Sequence, residues 1–281
     1  MDDWTERVAV VTGGGSGIGR ALALGFARRG ARVAICDVET APMEQTSGLV
    51  LDAVPDAQVL TQVVDVSDAA QVDAFAQRVF ERWGQVDVLC NNAGVFVGGF
   101  LWERPEADYD FVLGVNLHGI LHGIRAFVPR MIDRGAEAHV VNTVSIAGLL
   151  SSPFAGPYGI SKFAALAATE SLEGDLRAIG SSVHAHALCP GMIRTGIAQS
   201  DRNRPAALAT PRTGDQDVVE GFLRDTVESG MDPAEVADIV LDALSRPEQF
   251  LILTHPEFAE QAAARGQALR RLELPDMPSF G

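Results

Sequence analysis

The chain of 281 residues is nearly devoid of lysine. Of its 22 basic side chains, 21 are arginine and the remaining one is Lys162. Tyrosine is almost as scarce, present only as Tyr109 and Tyr158. A lysine placed at random would fall four residues after a tyrosine roughly once in 140 trials. Arginine serves everywhere else, so this position points to a task for which a compact ammonium is needed. Basic charge is short overall: 37 acidic side chains give 22 − 37 = −15. That speaks against nucleic acid or an anionic membrane as partner, since both require a basic face. Cys36, Cys90 and Cys189 are far apart, with no CxxC. This spacing fits free thiols in a reducing, cytoplasmic setting and offers neither a disulfide framework nor a zinc site. No run approaches the roughly 18 apolar residues that span a bilayer. The acidic start Met1-Asp2-Asp3 lacks the apolar core of a signal peptide. Internal repeats and low-complexity linkers are also missing.

What is present alternates. Apolar runs at 8–11, 33–36, 59–64, 86–90, 138–144, 183–188 and 250–253 predict strands. Amphipathic stretches at 17–30, 68–83, 106–133 and 157–179 predict helices between them. Apolar strands separated by helices imply a mostly parallel, seven-stranded sheet covered on both faces, a doubly wound α/β fold of Rossmann type. The length suits one such domain over 1–281. Residues 190–232 have weak periodicity and are expected to form an irregular substrate lid. Residues 255–281 read as an appended helix and a proline-containing tail.

The first strand runs into Thr12-Gly13-Gly14-Gly15-Ser16-Gly17-Ile18-Gly19, which opens a helix. Glycines let a backbone approach a pyrophosphate, and a helix N-terminus presents N–H groups to it. The spacing is TGxxxGxG, and Gly13, Ser16, Gly17, Ile18 and Gly19 are the residues expected at the cofactor. Asp37 closes the second strand, where a carboxylate can accept from a ribose 2′-hydroxyl and repel a 2′-phosphate. No basic side chain lies between Thr12 and Gly19. The expected cofactor is therefore NAD, with NADP disfavoured; Arg20 and Arg32 are the residues that could weaken the preference.

With Asn91-Asn92-Ala93-Gly94, Ser145, Tyr158-x-x-x-Lys162 and Pro190-Gly191 following in order, the chain resembles the short-chain dehydrogenases/reductases over about residues 5–254. The resemblance implies that Asn92, Ala93 and Gly94 line the cofactor cleft. It implies adenine at Asp65 and Val66, and nicotinamide gripped by Ile193 and Thr195 after Pro190 and Gly191. It gives Ser145 the substrate oxygen. Asn116 would hold a water linking the lysine to solvent, although a kink stabiliser inside a long helix is an equally physical role. The resemblance also implies a homodimer or homotetramer built on the helices near 106–133 and 157–179.

Tyr158 and Lys162, four apart, share one helix face. A phenol near its ordinary pKa of about 10 is a poor base at neutral pH, and a nearby cation is expected to lower it. The ammonium could also bond the nicotinamide ribose. No metal is expected: His118/His122 and His184/His186 lack the carboxylates or third ligand of a metal motif. Around the reacting carbon the sequence offers Val95, Phe96, Val97, Phe100, Leu101 and Trp102, then Ala147, Leu149, Leu150 and Phe154. The lid adds Met192, Ile193, Ala206, Ala207 and Leu208. Such a lining suits a bulky apolar secondary alcohol or its ketone, such as a terpenoid, steroid or aryl alcohol. Arg194, Arg202, Arg204 and Arg212 are lid residues that could instead meet an anionic substrate. The competing readings are an NADPH-dependent ketoreductase, a cofactor-sensing protein without turnover, and a structural subunit.

Overall fold

The computed structural model describes residues 4–277; the acidic start Met1–Asp3 and tail residues 278–281 lie outside the described residues. Seven parallel strands form one sheet: β1 Val8–Thr12, β2 Arg32–Asp37, β3 Val59–Val63, β4 Val88–Asn91, β5 Ala138–Thr143, β6 Val183–Cys189 and β7 Leu251–Leu253. Their order is β3-β2-β1-β4-β5-β6-β7, so the winding reverses between β1 and β4. All neighbours pair in parallel. Every residue of β1 and β5 is buried, as the near-continuous apolar runs require of strands covered on both faces. A fully buried Val or Leu contributes about 1.5–3 kcal/mol relative to exposure, so the central strands are the stable floor of the molecule.

The helices are α1 Gly17–Arg28, α2 Thr40–Ala53, α3 Ala69–Trp83, α4 Glu106–Leu113, α5 Gly119–Arg134, α6 Gly156–Ala178, α7 Gly214–Glu228, α8 Pro233–Ala243 and α9 Phe258–Arg270. Local chemistry sets their ends. Asp68 caps α3 by accepting from Ala70 and Gln71 N–H, and Gly84 ends it at φ 73°. A π turn at Gly114–His118 joins α4 to α5. The joined helix, Glu106–Arg134, is long and apolar enough to cross a membrane by length and composition. Here its apolar side, with Phe111, Val112, Ile120, Phe127 and Met131, is buried within the fold.

Two parts differ from the sequence reading. Residues 190–232 are not irregular throughout: they contain 3-10 turns at Ile197–Asn203 and Ala206–Leu208, then the regular helix α7. Its start is set by a capping box in which Thr213 and Gln216 serve each other's backbone N–H. Of the apolar positions of α7, Leu223 and Val227 line the cleft while Val218 and Phe222 are exposed, which is why its periodicity is weak. Helices α2 and α8 also escape the periodicity reading. Pro42 and Gly48 lie inside α2, and α8 is short.

Candidate active site

The C-terminal edge of the sheet opens into one continuous cavity of about 360 Å³ at the switch between β1 and β4. At one end lie Asp37, Val38, Glu39, Asp65 and Val66; at the other lie Ser145, Tyr158, Leu150 and Leu223. An open α/β sheet binds ligands at this crevice.

The glycine turn makes the floor. Gly13 has φ 65°, and a Cβ there would lie 2.8 Å from Ala93 Cα. Gly17 has φ 50°, and its Cβ would sit 3.0 Å from the Thr195 methyl. The bare backbone therefore lets the turn pack against the β4 loop and Thr195, and the start of α1 beside them opens to the cavity as a cradle that fits a pyrophosphate. Ser16 and Ile18 line the same cavity. Gly19 does not. Its Cβ would collide with the Gly13 carbonyl at 2.1 Å, so it acts beneath the turn, letting α1 close onto it.

Asp37 reaches the turn from β2. Its Oδ2 accepts from Gly15 N–H at 2.8 Å and its Oδ1 from Glu39 N–H at 3.0 Å. Both oxygens keep lone pairs for a ribose hydroxyl. Asp65 Oδ1 accepts from the backbone and hydroxyl of Ser67, and Val66 packs nearby with its carbonyl bonded by His122 Nδ1 at 2.9 Å. Thr12 is a residue the sequence reading missed. Its hydroxyl accepts from Asn92 and Ala93 N–H at 2.9 and 3.1 Å, tying the β4 loop to β1. The signal was its place at the head of the glycine motif. Asn92 Oδ1 accepts from the Thr143 hydroxyl at 3.3 Å, and Ala93 and Gly94 line the cavity. Pro190, Gly191, Ile193 and Thr195 line it from the lid side. Gly191 N–H is held by the Thr254 hydroxyl at 3.0 Å.

The chemistry end joins β5 and α6. Ser145 follows β5 and accepts from Ala147 N–H at 3.1 Å; its hydroxyl lies beside the Tyr158 phenol and acts to lower its pKa. Lys162 is buried, and its Nζ donates to the Thr143 carbonyl at 2.9 Å. The ammonium lies 5.6 Å from the Tyr158 ring centroid. The expected lowering of the phenol by the lysine is not what this arrangement gives. Burial raises the Tyr158 pKa, and the neighbouring Ser145 hydroxyl opposes it. Burial likewise lowers Lys162 to about 8. The cause is geometric: the ammonium is drawn to a β5 carbonyl over the ring face, and both groups have lost water.

Asn116 sits in the π turn and is fully buried. Its Oδ1 accepts from Val95 N–H, and its Nδ2 donates to the Val95 carbonyl and the Ser161 hydroxyl. Both amide hydrogens are used, leaving a single Oδ1 lone pair. The side chain fastens the β4 loop to the helix kink.

Of the expected substrate wall, Val95, Phe96, Ala147, Leu150, Met192, Ile193 and Leu208 face the cavity. Val97, Phe100, Leu101, Trp102, Leu149, Phe154, Ala206 and Ala207 do not. The chain turns away at Gly99, φ 119°, where it bridges to Ala155. Phe111, Ile197, Leu223 and Val227 take their places. The last two come from α7, so missing that helix meant missing them. The four lid arginines are engaged internally. Arg194 pairs with Asp232, Arg202 with Glu39, Arg204 with Asp108 and Asp201, and Arg212 with Asp217 and Glu220. No group of three or more potential metal ligands occurs among the described residues. His184 and His186 are joined by His139, whose Nδ1 is 3.0 Å from His186 Nε2.

Comparison with known proteins agrees with this geometry. Residues 7–206 match the family model for short chain dehydrogenases. The chain is 32% identical over 263 residues to a CLA biosynthesis dehydrogenase/reductase of Lactiplantibacillus plantarum, covering 92% of this chain and 91% of that one. It is 37% identical over 247 residues to the 1-deoxy-11-beta-hydroxypentalenate dehydrogenase of Streptomyces exfoliatus, covering 87% and 82%. A crystal structure of a short-chain dehydrogenase/reductase from Burkholderia phymatum in complex with NAD superposes with TM-score 0.96 at 39% identity, covering 100% of both chains. The glycine cradle, the Ser145–Tyr158–Lys162 cluster and these matches together make the chain a member of the short-chain dehydrogenase/reductase family, an oxidoreductase acting on alcohols or their carbonyl products.

Proposed function

We propose that the protein interconverts a bulky hydrophobic secondary alcohol and its ketone with NAD, and that the alcohol is of terpenoid, steroid or aryl type. The observation that carries this reading is the single cavity with Asp37 at one end and Tyr158 among apolar walls at the other. The four lid arginines are paired with acidic neighbours rather than aimed at a phosphate or carboxylate on the substrate. The likeness to a dehydrogenase of a hydroxypentalenate and to a structure holding NAD supports the same direction.

Bound nicotinamide would supply hydride acceptance or donation; Gly13, Ser16, Gly17, Ile18, Asp37, Asp65, Asn92, Gly94, Ile193 and Thr195 would hold the dinucleotide. The chain manages the proton. Ser145 positions the substrate oxygen and stabilises charge as it develops there. Tyr158 donates its proton to that oxygen during reduction and takes one during oxidation. Burial keeps the phenol protonated at neutral pH, so the acid role is ready there and the base role strengthens as pH rises. Lys162 is charged at neutral pH and loses charge as pH passes about 8.

Leu121 of α5 and Ile160 of α6 are apolar and exposed, which supports a homodimer or homotetramer on these helices. The free, buried cysteines support a cytoplasmic setting. A cofactor titration with a panel of cyclic and aryl secondary alcohols tests the function. NAD reduction with apolar members, and weaker binding of NADPH than of NADH, is the expected result. Tighter NADPH binding would sink the NAD assignment.

A further inference from the structure

Among the described residues, two cationic side chains line the cavity, Lys162 and Arg202. Lys162 belongs to the chemistry end. Arg202 lies on the 3-10 segment Ile197–Asn203 of the lid and reaches the adenosine end. It does not face the cavity as a free charge. Its Nε lies 3.2 and 3.1 Å from the two Glu39 carboxylate oxygens, and its Nη2 donates at 2.7 Å. Its Nη1 donates to the Gly196 and Gln199 carbonyls. Asn203 Nδ2 adds a bond to Glu39 Oε2 at 3.1 Å. Glu39 is joined to Asp37 through its own N–H, so the two carboxylates form one unit after β2.

A guanidinium that grips a carboxylate with a planar fork can grip a phosphate in the same way. Asp37 repels a 2′-phosphate from one side. Arg202 is the group that could attract one, and Glu39 occupies it. We propose that Glu39 is a second cofactor-discriminating residue, which captures Arg202 and so withholds the adenosine end's one lining cation from a ribose 2′-phosphate. This rests on the NAD reading above and adds a positioning residue to it. Glu39 also ties the lid to the β2–α2 turn, so the pair that closes the lid is the pair that hides the cation.

The test needs no turnover. Calorimetry would measure ADP-ribose and 2′-phospho-ADP-ribose binding to the wild type, Glu39→Gln and Glu39→Gln/Arg202→Gln. The same set is repeated with Asp37→Asn, so that Asp37 repulsion does not mask the effect. Glu39→Gln should shift the affinity ratio toward the 2′-phosphate by about tenfold, and adding Arg202→Gln should cancel the shift. A merely structural role for Glu39 would weaken both ligands alike. An unchanged ratio in both backgrounds, or a shift that survives loss of Arg202, overturns the inference while the NAD reading stands. A wild type that prefers the 2′-phosphate overturns both.

Discussion

The floor and the lid of this molecule are built from different physics. The floor is the sheet edge with its glycine turn and loops, held by buried apolar strands and by backbone hydrogen bonds to Thr12, Asp37 and Asn116. The lid, 196–228, is held by charge. Asp108 of α4 is its fully buried hub: Arg204 bonds it at 2.9 Å, Arg104 lies 3.6 Å away, and Thr210 and Gln216 donate to it. Arg104 also pairs with Asp215 at 3.1 Å, and the Arg204 guanidinium stacks on Phe111, which lines the cavity. Apolar burial stabilises without direction. Buried ion pairs stabilise little against an apolar alternative, but losing one partner is costly. The floor is thus rigid by bulk, whereas the lid is specified by a few directional contacts.

The difference can be broken at either side. On the floor, Lys162→Arg keeps the charge but loses the single ammonium anchored on Thr143. Turnover should fall about 10²-fold or more, with ADP-ribose affinity changing far less; a kcat near the wild type would contradict the placement. On the lid, Asp108→Asn leaves Arg104 and Arg204 short of a buried partner and should cost about 3 kcal/mol. Hydrogen exchange should quicken across 197–228 and stay unchanged in β1, β4 and β5. Uniform loosening of both regions would erase the distinction.

Acid separates them next. The His186 Nδ1 proton is given to the Gln249 carbonyl at 2.7 Å, so its Nε2 accepts from His139 Nδ1. That leaves buried His139 Nε2 without a hydrogen bond, and burial lowers the His139 pKa from 6.5 to about 3. The unfolded chain therefore takes up this proton between these values and the folded protein does not. The contribution to stability is full above pH 6.5 and is lost as pH falls toward 3, at up to about 1.4 kcal/mol per pH unit. His139→Gln should flatten that slope in a denaturation series; an unaltered slope would place the acid sensitivity elsewhere. The smallest effect concerns salt. At about 0.5 M salt the part-exposed Arg202–Glu39 pair should weaken by no more than about 1 kcal/mol. This is read as faster exchange at 197–203 with none in the sheet.

The same division decides what the sequence could tell. Strand runs and the glycine turn were legible because burial on both faces and a tight backbone approach each demand particular residue types. The Tyr158–Lys162 pair was legible because lysine occurs nowhere else. The lid was not. Its helix α7 is set by a Thr213–Gln216 capping box, and Arg204, Arg202 and Arg194 are matched to Asp108, Glu39 and Asp232 at separations that no local pattern carries. The direction of the Tyr158 shift was also out of reach, because it follows from burial and from Lys162 choosing the Thr143 carbonyl. The β4 loop misled for a related reason: Gly99 turns Phe100 and Trp102 away, and only the tertiary path shows it.

The most direct measurement is single-turnover reduction of NAD by an apolar secondary alcohol, followed against pH in the wild type and in Tyr158→Phe. The wild-type rate should climb with pH up to about 8, where Lys162 still holds its charge and pH nears the upward-shifted phenol pKa. The variant should bind NAD but transfer hydride about 10²–10⁴-fold more slowly, without that climb. A Tyr158→Phe variant with the wild-type rate and the wild-type pH profile would contradict the proton-transfer role of Tyr158.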